Sequence, residues 1–239
     1  MPAKKVKSDS VVRETVSALP KYWLFSAQTY ERLRAIHFAL YGIVKRVLDF
    51  VMAAAMILVL SPLFVVVAMA IKIDSPGPVF FRQERTGKNG RRFMICKFRS
   101  MVADNDLFDN SCGDRYTRVG RFIRRTSIDE LPQLFNVLVG QMSFIGPRPW
   151  VTEYWTNMTE EERERGRVLP GITGLAAAKG RNGLTVFQKI EYDLEYVRNY
   201  SLKQDVKILF LTVWTVTKGE GVDAGKQGVR DDLESLKAR

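Results

Sequence analysis

The stretch FVMAAAMILVLSPLFVVVAMAI, residues 50–71, contains no charged residue and carries a Ser-Pro pair, Ser61 and Pro62, near its middle. As one helix it would be roughly 33 Å long, which matches a bilayer hydrocarbon core of about 30 Å. Its length and hydropathy therefore predict insertion into a membrane. Proline removes a backbone donor and crowds the carbonyl four residues earlier, so it kinks or breaks the helix at this point.

Basic residues lie on both sides of this stretch. Residues 1–46 carry nine Lys and Arg against three acids, and residues 72–100 carry eight against two. Because cytoplasmic flanks collect Lys and Arg, a straight span would put one basic block on the wrong side. A helix hairpin bent at Ser61-Pro62 keeps both blocks near anionic lipid headgroups, and the Ser61 hydroxyl can satisfy the carbonyl that proline frees in either geometry. The residues alone leave both geometries open.

The overall composition limits the classes of function. The chain of 239 residues has a net charge of +11, which implies an anionic partner such as nucleic acid, phospholipid or a phosphorylated small molecule. Two cysteines, Cys96 and Cys112, and one histidine, His37, exclude a disulfide scaffold and most zinc sites. The basic, amphipathic start of the chain predicts no cleavable signal peptide.

After the apolar stretch, residues 74–101 alternate apolar and polar side chains around Asn89-Gly90. Asn-Gly between alternating residues is a strong signal for a two-residue hairpin turn. We therefore predict a small antiparallel ribbon. Its basic residues, Lys97 among them, are expected to form mostly a solvated or lipid-facing rim.

The sharpest acidic pair, Asp129-Glu130, opens the segment RTSIDELPQLFNVLVGQM, residues 125–142. Apolar residues follow at helical spacing, and Ser127 with Glu130 fits a capping box. Pro132 belongs in the first helical turn, so we predict a helix that starts at or near Asp129, with this carboxylate at the positive end of the helix dipole. Such a pair taken alone is more often a cap than a catalytic dyad.

Two further loops present basic side chains. In GPRP, residues 146–149, Pro149 forces Arg148 into an extended backbone and Pro147 stiffens the approach, which suits forked hydrogen bonds to phosphate or to a flat base. An ordinary turn with a surface arginine is an equal alternative. Arg181 lies in a glycine-rich loop after Lys179, and this signal alone is weak.

The remaining segments are predicted to be mainly helical. A helix is expected over 159–167, a turn-rich loop over 169–184, and a helix over 186–200 with Tyr192, Tyr196 and Tyr200 on one core-facing stripe. The apolar residues 206–216 are too few to span a membrane and fit either an interfacial or a core helix. The chain after Gly219 reads as a polar, loosely ordered tail.

These motifs together resemble the bacterial sugar transferase family, the monotopic phosphoglycosyl transferases. The resemblance covers roughly residues 43–220 and is carried, in order, by KRVLDF, the central Ser-Pro, SPGPVFFRQERTGKNGRRFMICKFRSM, RRTSIDELPQLFNVLVGQMSFIGPRP, LPGITGL and GRN. One departure follows GITGLA, where the family usually has a Gln-Val-Asn/Ser run and this chain has Ala177-Ala178-Lys179. This change leaves the sugar unassigned.

The resemblance implies a mainly α fold with a small antiparallel β-hairpin. It divides the chain into a basic amphipathic extension (1–42), a re-entrant membrane helix bent at Ser61-Pro62 (43–73), a cytoplasmic α/β catalytic domain with interfacial amphipathic helices (74–220) and a polar tail (221–239). It places the protein at the bacterial inner membrane, with the catalytic domain on the cytoplasmic face and anionic phospholipids as a partner. No nucleic-acid partner is expected, and a homo-oligomer is left open.

The activity that the resemblance implies is transfer of a sugar-1-phosphate from a UDP-sugar to undecaprenyl phosphate, with release of UMP, as the first membrane step of glycan assembly. Asp129 matches the family's nucleophile and Mg²⁺ ligand, and Glu130 the second position of its dyad. The pocket residues implied by the match are Lys97, Arg124, Pro147, Arg148, Pro149 and Arg181.

Three other functions compete with this reading. A non-catalytic, single-span basic adaptor predicts a periplasmic N-terminus and no UMP release. A nucleic-acid binder is supported by charge alone and by a few aromatic residues on the ribbon. A glycosyltransferase that moves the sugar without its phosphate would release UDP instead of UMP.

Overall fold

The computed structural model describes residues 21–102, 116–180, 183–218 and 229–238. The chain divides into two compact units, Met1–Ile43 and Val44–Arg239. In the first unit the described residues are helical, and apolar side chains such as Leu33, Ile36 and Leu40 are exposed. The second unit holds all the strands, the other helices and the candidate site in the described part of the chain.

Helix α1, Lys21–Asp74, contains the apolar stretch. Its part Glu31–Asp74 is long and apolar enough to cross a membrane by length and composition, with a mean hydropathy of 2.7 over its most apolar window. The helix continues through Pro62. Pro62 cannot donate to the carbonyl of Leu58, and the Ser61 hydroxyl donates to that same carbonyl at 2.8 Å. The serine therefore compensates for the proline as predicted, while the re-entrant bend stays a prediction.

Among the described residues, short helices and four strands make up the rest of the second unit, in agreement with the predicted mainly α fold with a small antiparallel hairpin. The strands are β1 Phe80–Thr86, β2 Arg92–Phe98, β3 Ser143–Ile145 and β4 Gly171–Thr173. The helices are α2 Arg118–Arg125, α3 Gln133–Leu138, α4 Thr152–Asn157, α5 Glu160–Arg163, α6 Leu175–Lys179, α7 Val186–Arg198, α8 Leu202–Lys218 and α9 Val229–Lys237, and 3-10 turns lie at Lys88–Gly90, Ile128–Glu130 and Glu164–Arg167.

The predicted hairpin is formed by β1 and β2, which pair antiparallel from Phe80↔Phe98 to Thr86↔Arg92. At its tip the Arg91 N–H donates to the Lys88 carbonyl at 3.1 Å. Asn89 and Gly90, between them, have φ of 53° and 76°. Both residues thus adopt the left-handed backbone that Asn-Gly favours. The hairpin is confirmed at the predicted place, but the predicted two-residue turn is wrong, because the Gly87 N–H donates to the Arg91 carbonyl at 2.7 Å and the strands enclose the three-residue loop Lys88–Gly90.

The predicted start of the helix at Asp129 is wrong. Ser127 has φ 58° and makes no side-chain cap, and residues Ile128–Glu130 form a 3-10 turn. The α-helix starts at Gln133, directly after Pro132. The missing N–H of proline costs nothing at the first position of a helix. A helix that started at Asp129 would place Pro132 beyond that position, so the chain completes a separate turn before the helix begins.

Two other predictions need correction. The loop predicted over 169–184 contains β4 and α6, and β4 pairs with β3 in parallel, with Ser143 opposite Gly171 and Ile145 opposite Thr173. Three-residue strands are too short to show an alternating pattern. The predicted polar tail includes α9, whose Leu233 and Leu236 are buried in the described core.

The predicted helices over 159–167 and 186–200 are found with small changes. Thr159 and Glu162 form a capping box at the start of α5, and the segment continues as a 3-10 turn. In α7, Tyr196 is 1% exposed and packs edge-on against Tyr200. The core role predicted for the tyrosine stripe is therefore confirmed for Tyr196.

Within the second unit, helix α1 packs against the strands and short helices at positions before and after the Ser-Pro pair. Ala53 lies in one buried cluster with Phe93, Ile95, Val137 and Met142. Further along, Val67 and Ile71 lie in a second cluster with Phe98 and Ile123. Near the beginning of this part of the helix, Arg46 donates to the carbonyls of Val137 at 2.7 Å and Leu138 at 2.8 Å. The parts of α1 on both sides of Ser61-Pro62 therefore contact the same globular body.

Helix α8 has one buried and one exposed side. Ile208 is fully buried, as the core alternative predicted, while the interfacial alternative stays a prediction. The exposed residues include two lysines, Lys203 and Lys207, and the apolar residues Leu202, Val206, Leu209, Phe210, Val213 and Trp214. Together with the exposed apolar side chains of α1, this face gives the second unit a large amount of apolar surface for a membrane to cover.

The loop that carries Arg148 is held by a close backbone crossing at Gly171. A Cβ at this position would lie 2.2 Å from the Gly146 nitrogen and 2.3 Å from the Thr173 carbonyl oxygen. We expect Gly171→Ala to reduce the free energy of unfolding by about 1–3 kcal/mol, because backbone atoms must move to admit the methyl group. Thermal unfolding measures this. Gly87→Ala is the control, since its nearest neighbours are 3.1 Å or more away, and equal melting temperatures for the two variants would contradict the prediction.

Candidate active site

The Asp129-Glu130 pair lies in the 3-10 turn between α2 and α3, next to strand β2. The Asp129 residue is 6% exposed, and the side chain of Glu130 is 20% exposed. Lys97, near the end of β2, and Arg148, from the loop after β3, both reach this pair. The fold therefore brings together four of the residues that the sequence singled out.

Glu130 is held between two cations. Its Oε1 accepts from Lys97 Nζ at 2.6 Å and from Arg148 Nη2 at 3.0 Å. Desolvation acts to raise the pKa of Glu130, but Arg148 and Lys97 together outweigh it and lower the pKa to about 2. Desolvation also lowers the pKa of Lys97, and the attraction of Glu130 opposes that shift. The Glu130 carboxylate is thus ionised and engaged at neutral pH.

Asp129 has a different environment. Desolvation, the largest effect, raises the pKa of Asp129 above 3.8, and the negative charge of Glu130 raises it further. The positive charges of Lys97, Arg124 and Arg148 act in the opposite direction. No hydrogen bond reaches its carboxylate from another side chain or backbone group in the described parts of the chain. The two adjacent carboxylates therefore differ, since one is engaged by cations and the other is buried among them with its oxygens available.

The loop after β3 presents Arg148 as the sequence predicted. Pro147 and Pro149 are buried, and Arg148 between them is exposed. The Pro147 carbonyl accepts from the Gly171 N–H at 3.0 Å, and the Trp150 carbonyl accepts from the Thr86 N–H at 2.9 Å. The backbone of this loop is fixed while the guanidinium group stays accessible to a ligand.

Other basic residues complete the surroundings of the pair. Arg124, at the end of α2, acts on Asp129 electrostatically and stacks on Tyr116 at 4.9 Å. Arg85 on β1, which the sequence analysis treated only as part of the rim, interacts with Arg148 and Glu130, and desolvation followed by the charge of Arg148 lowers its pKa to about 10. The position of Arg85 in the sequence, three residues before the hairpin tip, gave no indication that it interacts with Arg148 and Glu130. Arg181 lies outside the described residues.

The predicted magnesium site can be compared with the metal-ligating side chains that the structure places around Asp129 and Glu130. No cluster of three or more His, Cys, Asp or Glu side chains suited to a metal ion occurs in the described ranges. Mg²⁺ is commonly held by one or two carboxylates, with substrate phosphates and water completing the octahedron. Asp129, whose oxygens accept no hydrogen bond from the residues that the structure describes, fits such a shared site. Glu130, with its Oε1 between two cations, fits less well.

A cavity of about 510 Å³ lies elsewhere in the described part of the chain. It is lined at the hairpin tip by Lys88, Arg91 and Phe93 and, across from them, by Gly140 and Gln141. Phe93 and Lys97 are four residues apart on β2, which corresponds to roughly 13 Å. Neither carboxylate of the pair lines this cavity. We assign the chemistry to the Asp129-Glu130 site because of the charged side chains that meet there, and not because of a cavity volume.

Comparison with known proteins agrees with this site. Residues 40–219 match the family model of the bacterial sugar transferases. The chain is 44% identical over 184 residues to the UDP-glucose:undecaprenyl-phosphate glucose-1-phosphate transferase of Escherichia coli K12, covering 72% of this chain and 40% of that protein. It is 42% identical to a Bacillus subtilis protein described as the uncharacterized sugar transferase EpsL, covering 75% of this chain and 90% of that protein.

A third relative is named for a different sugar. The chain is 43% identical over 197 residues to the UDP-N-acetylgalactosamine-undecaprenyl-phosphate N-acetylgalactosaminephosphotransferase of Aeromonas hydrophila, covering 76% of this chain and 45% of that protein. The chain spans about 40% of the length of the first relatives that it matches. These similarities place the chain in a family of transferases. It belongs to the bacterial sugar transferase family.

Proposed function

We propose that this protein transfers a sugar-1-phosphate from a UDP-sugar to undecaprenyl phosphate and releases UMP. The observation that carries the proposal is the contrast within the dyad, where Glu130 is held by Lys97 and Arg148 and the buried Asp129 keeps its oxygens available. The relatives are named for transfer from UDP-sugars to undecaprenyl phosphate, which supports the same substrates.

The proposed reaction has two displacements at phosphorus. A carboxylate oxygen of Asp129 bonds to the β-phosphorus of the donor, the bond from that phosphorus to the bridging oxygen breaks, and UMP leaves with the electron pair. The phosphate oxygen of undecaprenyl phosphate then bonds to the same phosphorus and displaces the aspartate, which returns as a free carboxylate. This covalent route divides one transfer between two bulky anions into two steps.

The side chains around the dyad address the repulsion between a carboxylate and a pyrophosphate. Lys97, Arg124 and Arg148 place positive charge near Asp129, which stabilises an anionic phosphoryl transition state and keeps the nucleophile ionised. Mg²⁺, held at Asp129 and the donor phosphates, would supply further neutralisation of negative charge. Arg148 is the group best placed to bind the donor, because its guanidinium is exposed beside Glu130.

The acceptor phosphate lies at headgroup depth, so the site must sit against the membrane surface. Arg46 and Ala53, before the Ser-Pro pair, and Ile71, after it, all contact the strands and short helices of the second unit. A segment that crossed the bilayer between Ala53 and Ile71 could not contact the same globular body at both points. This supports a re-entrant helix with the catalytic unit on the cytoplasmic face of the inner membrane, where the exposed apolar face of α8 and anionic phospholipids would meet.

A panel of UDP-sugars tests the proposed function. With the protein in nanodiscs, we expect UMP to form from at least one donor when undecaprenyl phosphate and Mg²⁺ are present, and to stop after one enzyme-bound turnover without the acceptor. Chelation of Mg²⁺ should suppress the reaction. Release of UDP would identify a glycosyltransferase instead, and no nucleotide release from any donor would favour the non-catalytic adaptor.

The re-entrant topology gives a separate prediction. Pro62→Ala restores an N–H donor to the Leu58 carbonyl, which the Ser61 hydroxyl satisfies in the native chain. We therefore expect a straighter helix and an N-terminal tag that moves from the cytoplasm to the periplasm in a measurable fraction of molecules. Cysteine labelling of the tag in intact cells measures this, with Ser61→Ala as the matched control because it retains the proline. A native tag already outside the cell would refute the re-entrant model.

A further inference from the structure

Arg165 contacts the loop that carries Arg148 from its buried side. It lies in the 3-10 turn Glu164–Arg167 and is 5% exposed. Its Nε and Nη2 donate to Asp193 Oδ2 at 3.0 and 2.6 Å. The same Nη2 donates to the backbone carbonyl of Arg148 at 2.8 Å, and the guanidinium stacks on Trp150 at 4.1 Å.

These contacts hold the part of the loop that its backbone hydrogen bonds do not hold. The carbonyls of Pro147 and Trp150 accept from backbone N–H groups, and the carbonyl of Arg148 accepts from Arg165. A buried ion pair contributes little net stability compared with apolar packing, because both charges lose their hydration. The Arg165–Asp193 pair is therefore better explained by the geometry that it imposes than by the stability that it adds.

We propose that Arg165 is a positioning residue of the transfer reaction. Through the Arg148 carbonyl it sets the place from which the Arg148 side chain reaches Glu130 and the phosphorylated donor, and Asp193 on α7 sets the orientation of Arg165. This inference rests on the proposed function, in which Arg148 binds the donor. Nothing in the sequence pattern marks Arg165, because it lies in a run of six consecutive charged residues, 160–165, that is typical of a solvated helix.

The first test is Arg165→Lys. Lysine keeps the charge beside Asp193, but one ammonium group cannot reproduce the planar fork that bonds Asp193 and the Arg148 carbonyl together. We expect kcat/KM for the UDP-sugar to decrease by between about 10- and 100-fold, with an unchanged KM for undecaprenyl phosphate. Arg167→Lys, an exposed arginine of the same turn, is the matched control and should leave both constants unchanged.

A double-mutant cycle separates positioning from general damage. If Arg165 acts through Arg148, then Arg165→Lys should have almost no further effect in an Arg148→Ala background, since neighbours that work as a unit are not additive. Additive losses, or full activity of Arg165→Lys, would overturn the proposal. Should Arg165→Lys fail to fold, Asp193→Asn, which retains the shape of the acceptor, takes its place in the same cycle with the same expected non-additivity.

A structural readout keeps this inference separate from the proposed function. In a structure of the Arg165→Lys protein, the Arg148–Glu130 bond of 3.0 Å should be lost while the Lys97–Glu130 bond of 2.6 Å remains. An unchanged Arg148 position would refute the role of Arg165 whatever the enzyme catalyses. Absence of UMP release from the native protein would instead refute the proposed reaction and leave the positioning result intact.

Discussion

Replacing Asp129 by asparagine is expected to reduce UMP release by at least about 10⁴-fold, in line with the loss seen when a covalent nucleophile is removed. An amide is isosteric with the carboxylate but has no negative oxygen to bond to phosphorus. Since Asp129 makes no hydrogen bond with another described residue, the change removes the nucleophile without breaking a bond in that part of the fold. Membrane association and melting temperature should therefore remain unchanged.

The measurement uses a donor labelled in the sugar, quenched with acid after a single turnover. The native protein should retain label on the peptide that contains residue 129, and Asp129→Asn should retain none. Asp231→Asn, the same chemical change at an exposed position of α9, is the matched control and should keep full activity. Full activity of Asp129→Asn, or label recovered on Glu130, would remove the assignment of the nucleophile.

Local turn chemistry explains which parts of the fold could be predicted. Asn89-Gly90 marked the hairpin because few residues other than glycine and asparagine adopt positive φ without strain. Ser127 has the same backbone conformation, with φ 58°, but serine gives no such signal. The capping-box pattern at Ser127 and Glu130 therefore suggested a helix start, and Glu130 in fact turns toward Lys97 and Arg148.

This correction changes the source of the electrostatics at Asp129. The sequence placed the carboxylate at the positive end of a helix dipole, an effect of about 0.3–1 kcal/mol at an exposed helix end. In the structure the helix begins four residues later, at Gln133. The positive potential at Asp129 comes instead from three side chains on three different elements, Lys97, Arg124 and Arg148. Long-range convergence of this kind follows from packing, which local sequence patterns do not encode.

For the membrane segment, in contrast, local sequence features did predict the element. Composition alone predicted α1, and the Ser61–Leu58 bond was expected from the chemistry of proline. The contacts of Arg46 and Ala53 with α3 and β2 could not be predicted, because they depend on where α3 and β2 lie. These contacts, more than length or charge, support the re-entrant helix that we propose.

Removing the positive charge of Lys97 is expected to shift the acid limb of the pH–rate profile to higher pH. Protonated Asp129 cannot attack phosphorus, so kcat/KM falls as pH decreases through its pKa in the free enzyme. Desolvation already raises this pKa above 3.8, and Lys97 is the strongest of the groups that oppose the rise. Without that cation the neutral form of Asp129 is favoured further, and the pKa must increase.

We expect Lys97→Met to move the acid limb up by about one pH unit, which corresponds to 1.36 kcal/mol of lost interaction, and to lower the plateau as well. Lys97→Arg keeps the charge, so its plateau should fall while its acid limb stays in place. Lys189→Met, which removes a lysine paired with Asp232 at a distant site, controls for loss of charge in general. An acid limb that stays fixed in Lys97→Met would mean that desolvation and the two arginines alone set the protonation of Asp129, and that Lys97 serves only to hold Glu130.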